Sequence, residues 1–252
     1  MHMLLGLDDT DVLGHKPGTG RLARDLGAHL EHAGMTALVG VVRQQLLVDP
    51  RIPYTSHNSP ACLILNCESD GNGVAARVFD EAARYVQSRA AQGSDPGLCL
   101  VRRDAVGPAI VEWGWRAGSE VLDKPAAVAL ALREGLRLEE LGGTGDGIIG
   151  ALAAVGLTAE GNAGRFLEFA GGLRDLGERL PAGALRDKGI ALLSVSRNGD
   201  PVPADVEILT YDRVRPRLIG GRPVLLLERT EEGWCCFDRK QCDGDGEGQE
   251  DR

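Results

Sequence analysis

The spacing of apolar residues predicts a chain in which strands and helices alternate. Residues 3–5 form a short apolar run typical of a buried strand, and a helix follows in which Leu22, Leu26 and Leu30 share one face and Gly34 supplies the C-cap. Further strands are predicted at residues 36–42, 61–67 and 97–101. Further helices are predicted at residues 73–91, 105–116 and 125–140, the last with Pro125 in its first turn.

The pattern becomes less regular beyond Gly156. Strands are predicted at residues 189–196, 206–210, 223–228 and 234–237, and part of a helix at residues 176–180. Turn residues separate these segments, and no internal repeat is evident. We interpret this half as a smaller α+β unit that packs behind the first.

Composition limits the classes of protein to consider. The chain has 252 residues, enough for one large domain or two modest ones. Its formal net charge of −9 argues against nonspecific nucleic-acid binding over the whole surface but leaves room for a local basic patch. Residues 241–252 have the composition of a disordered acidic tail. No signal peptide or membrane-spanning segment is visible, so a cytoplasmic location is expected.

The six cysteines predict no standard metal framework. Cys62, Cys67 and Cys99 lie in or beside apolar runs, and we expect them to be buried as small hydrophobic residues. The chain contains no Cys-x-x-Cys pair, which argues against a structural zinc site. No role is assigned to Cys235, Cys236 and Cys242.

Three carboxylates crowd the end of the first predicted strand. Residues 6–11 read Gly-Leu-Asp-Asp-Thr-Asp and contain Asp8, Asp9 and Asp11. Carboxylates this dense repel one another unless a cation lies between them, and Mg²⁺ with phosphate oxygens on its other side is the usual partner. A polar turn in which an aspartate caps the next helix would use the same residues.

A glycine-containing loop follows the acidic cluster and leads into the first helix. It holds Lys16, Gly18, Thr19 and Gly20. A glycine loop at a helix N-terminus offers amides and a positive dipole end to phosphate, so the order of elements is typical of a magnesium–nucleotide site. The loop lacks the Walker A order of residues. Thr19 is either a phosphoryl acceptor or a helix N-cap, and the N-cap is the interpretation favoured by the sequence.

A second glycine-rich stretch begins at residue 142 and runs into a helix of very small residues. The amides of Thr144, Gly145, Asp146 and Gly147 are candidates to bind phosphate, and Asp146 either joins the acidic cluster or caps the helix. Tight turns use the same glycines. The long polar loop of residues 43–60, which begins with Arg43, would suit a phosphate or a nucleobase, or would serve as a solvated crossover.

Several of these segments together resemble the archaeal tRNA-isoleucine agmatinylcytidine synthetase family. The matching segments, in order and at similar spacing, are residues 6–11, 18–23, 52–54, 95–97 and 149–156. This family attaches agmatine to C2 of the anticodon wobble cytidine after ATP-dependent activation. The resemblance implies that Asp8, Asp9 and Asp11 hold magnesium and ATP, that Thr19 is phosphorylated, and that Arg43 and residues 52–54 form a second wall of the active site.

The resemblance also implies a domain organisation and an overall fold. The predicted fold is α/β to α+β, with an N-terminal kinase-like mixed sheet with helices over residues 1–141 and a ferredoxin-like α+β unit over residues 142–240. The sequence ends before segments matching the family's OB-fold and zinc ribbon. The expected partners are therefore ATP, magnesium, and either tRNA gripped with a partner protein or a smaller acceptor. The alternative is an ATP-binding regulatory module without catalysis, and the oligomeric state, a dimer included, is left open.

Overall fold

The computed structural model describes residues 1–55, 57–67, 73–169, 172–174, 176–196, 199–211 and 214–237. The predicted acidic tail, Cys242 and Ser56 lie outside these ranges. Of the helices placed within them, none combines the length and the apolar character needed to cross a membrane.

Strands and helices alternate through the first half of the chain. In order they are β1 (His2–Asp8), α1 (Thr19–His32), β2 (Ala37–Arg43), β3 (Ala61–Asn66), α2 (Val74–Arg89), β4 (Gly97–Arg102), α3 (Pro108–Ala117), α4 (Lys124–Glu134), β5 (Arg137–Glu140) and α5 (Gly147–Glu160). The second half contains β6 (Arg165–Phe169), β7 (Arg179–Pro181), α6 (Ala182–Asp187), β8 (Ala191–Ser194), β9 (Glu207–Leu209), β10 (Arg217–Ile219), β11 (Arg222–Thr230) and β12 (Gly233–Cys236).

All these strands join one mixed sheet. Its order is β5-β4-β1-β3-β2-β6-β10-β11-β12-β9-β7, with β8 added beside β11. The pairs around β1 are antiparallel, whereas β8 pairs with β11 and β9 with β12 in parallel. Helices cover this sheet, so the predicted mixed α/β class is confirmed.

The sheet is covered on both faces around β1, which explains why that strand reads as an unbroken apolar run. Met3, Leu5 and Leu7 pack into a core with the apolar faces of α1 and α2. Leu4 belongs to the core on the opposite face, which contains residues of α3, α4 and α5. All four side chains are fully buried. Cys62, Cys67 and Cys99 are buried as predicted.

The small residues of α5 let this helix lie directly against the sheet. A Cβ atom on Gly6 of β1 would overlap the Ala151 carbonyl, and one on Gly97 of β4 would overlap the Gly147–Ile148 backbone. On the helix side, a Cβ atom on Gly150 would overlap the Asp8 carboxylate. Close approach between backbones therefore accounts for the small-residue stretch, and it brings the N-terminus of α5 to the end of β1.

Three predicted elements need correction. The helix predicted at residues 125–140 ends at Glu134, because Gly135 adopts a left-handed conformation (φ 67°), and the last residues form β5 instead. The helix at residues 105–116 begins only at Pro108. The segment at residues 176–180 is not helical; it leads into β7, and the helix that follows is α6. The short strands β6 and β10 were not predicted.

The division into a kinase-like and a ferredoxin-like unit stays a prediction. In the structure α5, which follows the predicted boundary at residue 142, packs on β1, β4 and α3 of the first half. Strand β6 of the second half pairs with β2 of the first, so the sheet continues across the boundary.

Candidate functional site

Antiparallel pairing brings two separate stretches of sequence together at one edge of the fold. Asp8 at the end of β1 lies opposite Gly97 at the start of β4. The residue that follows β1, Asp9, and a residue that precedes β4, Asp95, are therefore neighbours. The N-terminus of α5 reaches the same place, because the Gly147 amide donates a hydrogen bond to the Asp95 carbonyl at 3.1 Å.

A cavity of about 560 Å³ opens at this meeting point, and we call it the acidic cavity. This volume lies within the range typical of small-molecule sites. Seven carboxylates line it: Asp8, Asp9, Asp11, Asp95, Glu120, Asp123 and Asp146. The cations in its lining are Arg51 and Lys124. Its opposite wall consists of residues 51–55 and 57–59, together with apolar side chains that include Leu46, Val121, Leu122 and Ile149.

The carboxylates at the floor of the acidic cavity are destabilised in their charged forms. Burial raises the pKa of Asp8 to about 8; repulsion from Asp9 and Asp11 adds to the rise, while a backbone hydrogen bond from Asp9 and the charge of Arg43 oppose it. Burial also raises the pKa of Asp9 to about 6, and repulsion from Asp95, Asp11 and Asp146 adds to it. Asp9 has a positive φ of 54°, a rare conformation for a residue with a side chain.

These raised pKa values indicate that the floor of the cavity suits a cation. Among the residues described, no set of three or more His, Cys, Asp or Glu side chains is preassembled at metal-binding distances. Mg²⁺ does not require such a set, since proteins usually hold it through one or two carboxylates while phosphates and waters complete the octahedron. The donors present therefore fit magnesium that arrives with a phosphate-bearing ligand.

Thr19 occupies the wall of the acidic cavity rather than the cap of a helix. Gly18 is the N-cap of α1, and Thr19, which is 8% exposed, is its first helical residue. The Thr19 hydroxyl accepts a hydrogen bond from the Thr10 hydroxyl at 3.0 Å and donates to Asp11 Oδ1 at 3.3 Å. Thr55 donates to Asp11 Oδ2 at 3.2 Å. The N-cap interpretation of Thr19 was therefore wrong, and its hydroxyl faces a carboxylate.

The glycine-rich loop before α5 also contributes to the acidic cavity. Thr144, Asp146 and Gly147 line it, whereas Gly145 is absent from its described lining and packs against the Glu140 side chain. Asp146 precedes α5 without a side-chain capping bond and adds its charge near Asp9. The prediction that Asp146 belongs to the acidic cluster agrees with this position.

The amides of this loop are largely occupied within the protein. Thr144 donates to the Asp95 side chain, Gly145 to the Gly142 carbonyl at 3.1 Å, and Gly147 to the Asp95 carbonyl. Their predicted use for phosphate would require these bonds to be replaced. Lys124, which also lines the cavity, holds the loop in place, since its Nζ donates a hydrogen bond to the Thr144 carbonyl at 2.5 Å and pairs with Glu140 at 3.2 Å.

The remaining predicted residues lie on the far side of Thr19. Lys16, Gly18, Gly20 and Arg43 line a second, smaller cavity and are absent from the described lining of the acidic cavity. Arg43 is nonetheless close enough to Asp8 to lower its pKa. The structure therefore separates the predicted site residues into an acidic group and a basic group, with Asp11 and Thr19 shared between them.

Sequence reasoning included residues 95–97 in the family resemblance but assigned no site role to Asp95, and it missed the connection between α3 and α4. Asp95 could have been found from the strand order, because a strand antiparallel to β1 must begin beside the end of β1. The connection, which includes Val121, Leu122 and Asp123, carries no motif that distinguishes it from an ordinary loop. The predicted wall at residues 52–54 does lie across the acidic cavity from Asp8.

No protein-family model matches the chain, and no curated protein matches it either. Solved structures of TiaS do match it. The crystal structure of apo TiaS, an agmatidine synthetase that acts on an isoleucine tRNA, aligns over 62% of this chain and 35% of that chain, with a TM-score of 0.50 and 21% identity. The complex of TiaS with this tRNA and ATP aligns over 62% of this chain and 36% of the TiaS chain, with a TM-score of 0.52 and 24% identity.

A third structure is the complex of TiaS with the same tRNA, AMPCPP and agmatine. It also aligns over 62% of this chain and 36% of the TiaS chain, with a TM-score of 0.52 and 23% identity. The chain thus spans little more than a third of the length of the structures it matches. At identities below 25% this likeness establishes a shared fold over the aligned part. The resemblance predicted from the sequence motifs is confirmed at that level.

Proposed function

We propose that this protein is an ATP- and magnesium-dependent phosphoryl-transfer enzyme. The single observation that carries the proposal is the acidic cavity, in which carboxylates from β1, the start of β4 and the start of α5 converge beside the buried hydroxyl of Thr19. A site of this volume with raised carboxyl pKa values is typical of a functional centre. TiaS, whose fold the chain shares, has been crystallised with ATP and an isoleucine tRNA.

Each group in the cavity has a role in this proposal. Asp8 and Asp9 hold magnesium, which when bound supplies positive charge to the phosphate oxygens of the nucleotide. The apolar wall around Leu122 and Ile149 excludes water from the base and ribose side of the cavity. Arg43 lies outside the described lining of this cavity but adds positive charge close enough to Asp8 to lower its pKa.

Thr19 and Asp11 form the reactive pair in this account. The Thr19 hydroxyl already donates a hydrogen bond to Asp11, so this carboxylate is placed to take the proton when the Thr19 oxygen accepts a phosphoryl group. Transfer forms an oxygen–phosphorus bond at Thr19 and breaks the bond to the leaving nucleotide. The alternative acceptor is a substrate oxygen that occupies the cavity beside Thr19.

The final acceptor is proposed as tRNA gripped together with a partner protein, or a different, smaller substrate. The TiaS complexes contain an isoleucine tRNA and, in one case, agmatine. The chain corresponds to little more than a third of the length of those proteins, so the acceptor and any partner are proposals for this chain.

A turnover assay tests the proposed activity. The purified protein is incubated with labelled ATP and magnesium, first alone and then with total tRNA and agmatine, and the nucleotide products are separated. AMP or ADP release that rises with tRNA and agmatine supports a tRNA-modifying activity. Release without this stimulation, accompanied by label on Thr19, supports phosphoryl transfer to another acceptor.

ATP binding without any release of ADP or AMP, with every acceptor tried, would reject the enzymatic proposal. The protein would then be an ATP-binding regulatory module.

A further inference from the structure

A small basic cavity lies directly behind Thr19, and we call it the anion pocket. Its volume is about 80 Å³. Asp11, Thr19, Thr55, His57 and Ser59 line both this pocket and the acidic cavity, so these residues form the wall between the two.

Cationic side chains from distant parts of the chain converge on the anion pocket. They are Lys16, Arg21, Arg24, Arg43, Arg174 and Arg215. The one carboxylate among the described lining residues is Asp11, and Arg21 is ion-paired with Asp25 on the same helix at 2.9 Å. This excess of positive charge stands out in a chain whose formal net charge is −9.

Several cations of the anion pocket are partly or largely buried. Arg24 is only 9% exposed, and an arginine remains charged under all ordinary conditions. Arg43, Arg174 and Arg215 are each partly buried. A bound phosphoryl group would add charge-assisted hydrogen bonds to these guanidinium groups in surroundings less polar than water.

Neutral groups of the pocket are also suited to an anion. Gly18 and Gly20 line it at the N-terminus of α1, a 14-residue helix with no acidic residue in its first turn. The first amides of a helix have no acceptor within the helix itself and carry the positive end of its dipole. These groups add to the arginines, whose planar guanidinium forks match the oxygens of phosphate.

The size of the pocket decides the class of ligand. Sites for drug-sized molecules occupy roughly 300–1,000 Å³, so a space of this size admits a small polyatomic anion but not a nucleoside. We propose that the anion pocket binds a phosphoryl group, with Arg174 and Arg215 from the second half of the chain as specific ligands. This deepens the proposed function by placing a phosphate next to Thr19, although binding of a free anion requires no catalysis.

A phosphoryl group could enter this pocket from two sources. One is the terminal phosphate of a nucleotide in the acidic cavity, on the other side of the Thr19 wall. The other is a backbone phosphate of a polynucleotide in a third cavity of about 920 Å³, which shares Arg43, His57, Ser59, Leu167 and Arg215 with the pocket and is also lined by Arg165 and Arg217.

Calorimetric titration with pyrophosphate tests the proposal. The titration is done in EDTA, so that the acidic cavity cannot recruit the anion through a metal. We compare the wild type with the Arg174→Ala/Arg215→Ala variant and with Arg179→Ala, a matched control at an exposed position outside all three cavities. The double variant should bind pyrophosphate at least about 10-fold more weakly, whereas the control should stay within about twofold of the wild type.

Two further arms identify the source of the phosphoryl group. If the nucleotide supplies it, the double variant loses affinity for ATP with magnesium but keeps its affinity for AMP. If a polynucleotide supplies it, the variant loses affinity for a single-stranded oligonucleotide while its affinity for ATP is unchanged. The Arg174→Lys/Arg215→Lys variant keeps the positive charges but loses the planar guanidinium groups. It should weaken pyrophosphate binding less than the double alanine variant does.

Failure of this inference is distinct from failure of the proposed function. The anion-pocket proposal is rejected if the wild-type protein binds no pyrophosphate. It is also rejected if a folded double variant binds pyrophosphate as tightly as the wild type. If the protein binds pyrophosphate through these arginines but turns over no ATP, the anion-pocket proposal stands and the enzymatic proposal is rejected.

Discussion

The two cavities on either side of Thr19 have opposite charge. The described lining of the acidic cavity contains seven carboxylates and two cationic side chains, Arg51 and Lys124. The described lining of the anion pocket contains six arginines and lysines and one carboxylate, Asp11. The first set of charges suits a cation and the second suits an anion. Two such cavities that meet at a shared wall, which includes Thr19, would suit a magnesium–phosphate ligand.

The two cavities also differ in where their residues come from. The carboxylates of the acidic cavity all belong to the first 146 residues, and most of them adjoin the ends of strands and helices. The anion pocket recruits Arg174 and Arg215 from the second half of the chain. The second half therefore contributes to the chemistry of the site as well as to the sheet.

The largest expected effect is on turnover in Asp8→Asn. The substitution keeps the shape of the side chain but removes the charge that holds magnesium, so ATP turnover should fall by about 1,000-fold or more. Asp200→Asn, at an exposed position outside the three cavities, is the control and should keep wild-type activity. A fully active Asp8→Asn protein would remove Asp8 from the proposed mechanism.

Thr19→Val should lower turnover by about 100-fold if Thr19 accepts the phosphoryl group. Thr19→Ser keeps the hydroxyl and should retain most of the activity, with label from ATP recovered on the serine. The valine substitution also leaves the buried Thr10 hydroxyl without its acceptor, which should reduce the free energy of unfolding by about 1 kcal/mol. Equal activities of the valine and serine variants would show that the hydroxyl is not used.

Gly150→Ala should damage one cavity and spare the other. Its new methyl group would overlap the Asp8 carboxylate and displace it, so ATP turnover should fall by about 10-fold, an effect typical of a misplaced catalytic group. Pyrophosphate binding in EDTA should be unchanged. Gly183→Ala is the matched control, since a Cβ atom there meets no other atom within 4 Å. Loss of pyrophosphate binding in Gly150→Ala would show that the two cavities are not independent.

The smallest expected effect is on the stability of the metal-free protein. Because the pKa of Asp8 is raised from 3.8 to about 8, the folded state holds a proton that the unfolded state releases, and stability falls as the pH rises between these values. Asp8→Asn removes this loss, so in EDTA at pH 8 its melting temperature should exceed that of the wild type by about 5 °C. At pH 4 the two proteins should melt at nearly the same temperature.

The sequence predicted the acidic floor of the site better than its walls. Asp8, Asp9 and Asp11 follow an apolar strand, so local sequence alone predicts that three carboxylates lie together at its end; their role stays a prediction. Asp95 could not be recognised locally, because its place beside Asp9 depends on antiparallel pairing between β1 and β4. Arg174 and Arg215 lie in segments without a regular pattern, and only the tertiary fold brings them to Thr19.

The errors in secondary structure have similar physical causes. Gly135 ends α4 through its left-handed conformation, although the apolar pattern continues beyond it. Strand β6 is short and pairs with the distant strand β2. Strand β10 has only three residues and forms a hairpin with β11 through Gly220 and Gly221, a local signal that the sequence analysis overlooked. Apart from the end of α4, the helices and strands predicted in the first half have bounds within a few residues of the observed ones, because each buries an apolar face.

The most direct test of the central claim is the magnesium dependence of ATP binding, measured by calorimetric titration in magnesium and in EDTA. If the acidic cavity is a magnesium–nucleotide site, ATP should bind at least about 10-fold more tightly with magnesium, and this gain should disappear in Asp8→Asn but not in Asp200→Asn. Equal affinity in magnesium and in EDTA, or an unchanged gain in Asp8→Asn, would contradict the account.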